Sequence, residues 1–152
     1  MQRHDEAGHA DPDHHRTGGT MIYIVLNAVA IIAATLAGMA FGAVYYALVR
    51  FGQRLPGGMA VTLATAFVTE AWFCAILAGA LILAPPKGGV WTMTIGSAVV
   101  IWLGFVVPTQ VASYRYRGLG GRAALVDCGH WLGVMLVQAV VLRLIGLVPP
   151  PV

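Results

Sequence analysis

Glu70, Asp127 and His130 are the side chains in this 152-residue sequence whose type and placement suit proton or ion chemistry. Glu70 lies near the middle of a long apolar run, where a charged carboxylate needs a partner, a watery cavity or a proton. Its functional reading is a proton or cation site, or a pocket for a polar substrate. Its structural reading is a neutral acid hydrogen-bonded to a neighbour such as Thr65, Thr69 or Gln110. Asp127 and His130 are spaced i, i+3 and share one helix face. Asp127 falls near the start of its helix, where the backbone dipole favours negative charge. Arg115, Arg117 and Arg122 are close in sequence, so an ion-paired anchor is the structural alternative. The sharper reading joins Glu70, Gln110, Asp127 and His130 into one polar site inside a helical bundle.

Other chemistries find little footing. Cys74 and Cys128 sit inside apolar runs without CxxC or zinc-ligand spacing, and read as buried free thiols. His4, His9, His14 and His15 stand among acids in the polar segment 1–20, which reads as a disordered tail with at most weak metal affinity. That segment has no apolar core of the kind a cleaved secretory signal requires. Nucleophile elbows, phosphate loops, HExxH and CxxCH are absent from the sequence. His130 has no second histidine in the apolar runs to make a bis-histidine haem site. No enzymatic activity, metal or cofactor is therefore expected.

The elements that must position these residues follow from composition. Hydrophobic residues make up 59% of the chain, charged residues 10%, and mean hydropathy is +0.79, against about 25% charged in ordinary soluble domains. A soluble domain of this size cannot hide so much apolar surface. Four apolar runs, 21–49, 59–84, 90–113 and 123–148, are long enough to cross a bilayer as helices. They lack the polar–apolar alternation of barrel strands. Prolines 85–86 and 149–151 close the second and fourth runs. The expected fold is an all-α, up-down bundle of four transmembrane helices over 21–152, because short connections make successive helices antiparallel neighbours.

Orientation follows from basic residues. Loops one and three carry Arg50, Arg54, Arg115, Arg117 and Arg122, which makes them cytoplasmic and puts both termini outside. Tyr45, Tyr46, Phe51, Trp91, Tyr114 and Tyr116 fall at the ends of runs, where interfacial aromatics belong. Gly38 with Gly42, and Gly129 with Gly133, are GxxxG pairs that let helices approach closely. Pro108 interrupts the third run, where it should kink the helix and free a carbonyl. The small net charge of +3 gives no reason to expect a nucleic-acid partner. The lipid bilayer is the expected environment, with other membrane subunits or further copies of the chain as partners.

Several short motifs carry a family resemblance. The first run ends in Gly42-Ala-Val-Tyr45-Tyr46 and then Phe51-Gly52; the third holds Gly104-Phe-Val-Val-Pro108; the fourth opens with Asp127-Cys128-Gly129-His130-Trp131. This pattern, over about 21–147, resembles a bacterial family of small four-span membrane proteins catalogued as a domain of unknown function. The resemblance implies a four-span bundle in the bacterial inner membrane and no established activity. Two functional readings remain open, the first favoured over the second. One is an accessory or assembly subunit of a larger membrane complex, suited by small size and Gly/Ala-rich faces. The other is a small oligomeric transporter or channel-like protein using Glu70 and the Asp127/His130 pair for protons or cations.

Overall fold

Runs of Ala, Leu, Ile, Val and Gly satisfy their backbone hydrogen bonds within the helix, the condition lipid imposes on any spanning segment. A computed structural model describes residues 22–49, 58–85 and 88–151 of the chain. The described residues are helical throughout apart from short connections, and contain no strand. The elements are α1 (Ile22–Leu26), α2 (Ala28–Val49), α3 (Met59–Leu83), α4 (Val90–Ile101), a π-helical turn (Trp102–Val106), α5 (Val107–Tyr116) and α6 (Gly121–Ile145). The hydrogen-bond ladder runs on through Asn27, from Asn27 N–H to Tyr23 O and from Ile31 N–H to Asn27 O, so α1 and α2 make one span. The α4–π–α5 series makes another. Four helices are thus long and apolar enough to cross a membrane, as the apolar runs predict.

The two largest differences from the sequence reading are at helix ends, and both trace to glycine. The third span continues to Tyr116 and stops at Gly118, whose φ of 68° favours a residue without a side chain. There Leu119 N–H bonds Tyr114 O and Gly118 N–H bonds Arg115 O, the paired closure of a Schellman turn. At the other end α6 stops at Ile145 because Gly146 adopts φ 89°, before the prolines are reached. The tail 1–20, and Arg50, Phe51, Gly52, Arg54, Pro86 and Lys87, lie outside the described residues.

Pro108 is absorbed by a change of helical register. The Val107 N–H bonds Trp102 O, an i→i+5 closure, so the turn before the proline is widened. The Thr109 hydroxyl donates back to Phe105 O, one turn earlier on its own helix. Trp102 Nε1 donates to Cys128 O at 2.8 Å and ties the widened turn to α6.

The last span is the hub of the bundle. Helix α6 packs on α2, α3 and all parts of the third span, and its pairing with α2 is the most extensive. The first and third spans make no close backbone approach to each other. The core between them is built from Ile31, Ala34, Cys74, Leu77, Ala78, Ala98, Met135, Ala139 and Leu142. Most large apolar side chains point outward, among them Val29, Leu48, Val68, Leu83, Val100, Phe105 and Leu125, as in a chain solvated by lipid. Where the chain leaves α6, Val148 N–H donates to Asn27 Oδ1 and Asn27 Nδ2 donates to Val148 O, each at 2.8 Å. This two-point clamp places the start of the first span and the end of the last at the same end of the bundle.

Candidate functional site: a polar seam between the spans

Both glycine pairs lie in the α2–α6 interface, and they serve opposite helices. A methyl group added to Gly38 would stand 2.6 Å from Glu70 Oε2, 3.0 Å from Gln138 Nε2 and 3.1 Å from Val134 Cγ1. One added to Gly42 would stand 2.7 Å from His130 Nε2. The α2 glycines are therefore the hollows that receive polar side chains of α6 and α3. In return, Gly129 receives the Tyr45 hydroxyl at 3.1 Å and Gly133 receives the Phe41 ring at 2.2 Å, measured from the same imagined methyl position. The seam is a reciprocal fit of side chains into missing side chains.

Along α6, Asp127, His130, Val134 and Gln138 stand at i, i+3, i+7 and i+11. At 100° per residue all four fall within an arc of about 80° on one face. Asp127, His130 and Gln138 are the buried polar positions of that helix, and they span about 16 Å along its axis at a rise of about 1.5 Å per residue. Glu70 enters from α3 and completes the set; only 4% of it is exposed.

At the lower end, Asp127 accepts from two tyrosine hydroxyls, Tyr46 at 3.2 Å on Oδ1 and Tyr114 on Oδ2. One carboxylate thus joins the first and third spans, which barely approach elsewhere. The neighbouring Tyr45 hydroxyl donates to Val126 O at 2.9 Å. His130 is walled by rings, with Tyr46 at 4.4 Å and Tyr45 and Trp131 each at 5.6 Å between centroids. Tyr45, Tyr46 and Tyr114, expected as interfacial anchors, are turned inward to serve this site.

At the upper end, Gln138 Nε2 donates to the Glu70 backbone carbonyl at 3.3 Å. Glu70 Oε2 and Gln138 Oε1 are buried and find no hydrogen-bond partner among the described residues. The threonines considered as partners for Glu70 are exposed, and Thr69 bonds back to its own helix at Thr65 O. Val134 separates this upper pair from His130.

Gln110 lies half-buried on α5, and no hydrogen bond joins it to Glu70, Asp127 or His130 among the described residues. The amide that meets Glu70 is Gln138, which sequence reasoning passed over. Its signal was present in the i+11 spacing from Asp127, which puts the two within about 20° on α6. Cys74 and Cys128 are buried free thiols, and Cys74 Sγ lies 3.6 Å from Ile31 O.

Four apolar helices packed around a buried polar seam define a multi-pass helical membrane protein. The chain belongs to the family described as protein of unknown function (DUF1761), whose model matches residues 29–143 and so takes in the whole seam. No curated protein and no solved structure matches the chain.

Proposed function

We propose that this protein moves protons or small cations through the seam, with Glu70 as the exchanging group. The observation that carries this reading is the pair of buried oxygens, Glu70 Oε2 and Gln138 Oε1, without partners at a point midway along α3. An unsatisfied polar group within a membrane costs several kcal/mol. A chain that only needed to pack would place apolar side chains there. A transferable proton or a cation passing between the two oxygens satisfies them in turn. Asp127 and His130 continue the polar face toward the end of the bundle that carries loops one and three, and Val134 acts as the apolar break between the two halves. The reading assigns the chain no covalent chemistry.

The test is flux in proteoliposomes loaded with a pH-sensitive or a sodium-sensitive dye and driven by a potassium diffusion potential. Wild-type protein is expected to acidify or alkalinise the lumen, or change its sodium content, faster than protein-free vesicles. Glu70→Gln keeps the shape and removes the exchangeable charge, and should abolish that flux while leaving thermal stability unchanged. A wild-type rate equal to the protein-free rate, or an undiminished rate in Glu70→Gln, overturns the proposal.

A second reading, an accessory subunit of a larger complex, has its own observation. Gly96 and Gly104 on the third span meet open space, and exposed Val100 stands between them on the same outer stripe. A foreign helix could pack closely there. Mild solubilisation with a C-terminal tag should then recover a fixed set of companions; recovery of this chain alone counts against it.

A further inference from the structure

The seam ends beside a second feature that the transport reading does not use. At the end of the bundle carrying loop three, a cavity of about 720 Å³ is lined by Val49, Tyr114, Arg117, Leu119, Gly120, Arg122, Ala123 and Val126. It lies where the ends of the first and third spans meet the start of α6. The Schellman turn at Gly118 carries Arg117 and Leu119 to one wall, and the first turn of α6 carries Arg122 to another. Both arginines are exposed. The described residues hold two carboxylates, Glu70 and Asp127, and neither lines the cavity. Helix α6 begins at Gly120 without a side-chain cap and without an acid in its first turn, so its positive end is uncompensated on the same side.

We propose that this cavity binds the phosphate group of an anionic phospholipid, with Arg117 and Arg122 as its two cationic contacts. Three features favour a lipid over a soluble phosphate. The cavity sits at the ends of the spans, where α2 and α5 close and α6 begins. Its remaining walls are largely apolar, with Val49, Leu119 and Val126 beside the arginines. Its lining also comes from three spans, α2, α5 and α6, so the hollow lies between helices. A basic hollow between spans is a headgroup site by its charge and place. The Tyr114 side chain lines the cavity while its hydroxyl holds Asp127, so an occupied cavity would brace the lower end of the seam.

A diffuse basic surface would also attract anionic lipid, and the variants separate the two cases. Native mass spectrometry on detergent-solubilised protein would measure retention of phosphatidylglycerol and phosphatidylcholine. Wild type should keep phosphatidylglycerol in preference. Arg117→Gln with Arg122→Gln should weaken it roughly thirty-fold, a little over five-fold per charge. Arg115→Gln removes the same charge from an exposed position outside the cavity and should change retention little. Gly120→Leu places a bulky apolar side chain at the cavity wall and narrows it without altering charge; the glycine has φ −68° and open space at its Cβ position, so the backbone accommodates the change. It should weaken retention as the double variant does. An equal loss per charge from Arg115→Gln and from the cavity arginines would show a general field and overturn the site, as would full retention in Gly120→Leu. Displacement of the lipid by millimolar inorganic phosphate would assign the cavity to a soluble phosphate and overturn the lipid.

Discussion

Gln138 is wholly buried, yet one of its amide atoms goes unmet, and that imbalance can be weighed directly. Gln138→Met conserves volume and forfeits a single 3.3 Å bond to a carbonyl that is already part of the α3 ladder. It also removes an oxygen whose unsatisfied burial costs about 1–3 kcal/mol. The variant is expected to gain about 1 kcal/mol in stability, read as a higher melting temperature in detergent, while losing flux in the vesicle assay. A loss of stability instead would mean that the amide is there for packing. Glu70 and the Asp127/His130 pair were visible in the sequence because ionisable groups inside apolar runs stand out by type alone. Gln138 was less visible because glutamine is neutral, and its role depends on the rotation that brings α6 against Gly38. Gln110 looked equivalent by composition, and only that rotation separates them.

At the scale of the elements, the same substitution has opposite consequences on two helices. Gly133→Ala would drive a methyl into the Phe41 ring, which would have to leave the hollow it occupies. Overpacking of this kind costs about 1–3 kcal/mol. Gly104→Ala meets nothing within van der Waals reach and removes glycine's helix penalty of about 0.5–1 kcal/mol. Thermal melts of the two variants should therefore move in opposite directions, downward for position 133 and unchanged or upward for position 104. The four spans themselves were legible from apolar length alone. Their ends were less so, because Gly118 and Gly146 stop helices ahead of or beyond the residues that composition marks. Pro108 announced an irregularity, but its form was set elsewhere. The wide turn fits because Trp102 finds the Cys128 carbonyl on a different span, a contact no local rule predicts.

The molecule as a whole is fastened at one end by a single side chain. Asn27 both donates to and accepts from Val148, so Asn27→Ala would strand one amide and one carbonyl at the close of the bundle. The expected cost is about 1–3 kcal/mol, and hydrogen exchange should show faster exchange at residues 146–148 with the α2–α6 seam still protected. Unchanged exchange there would make the clamp incidental. The antiparallel order of neighbours could be inferred from short connections. That the last span would be the hub, and the first its main partner, could not, since short loops leave the closing contact of a ring unspecified.

That hub position has a consequence for biosynthesis. The hollow at Gly42, and the α6 share of the one at Gly38, are filled by residues of the span made last, and Glu70 meets Gln138 only then. While the ribosome is still translating, the first hairpin must wait in the membrane with an acid on its flank and no lasting partner for it. Truncation within the fourth span would therefore be recorded as rapid degradation of the entire chain.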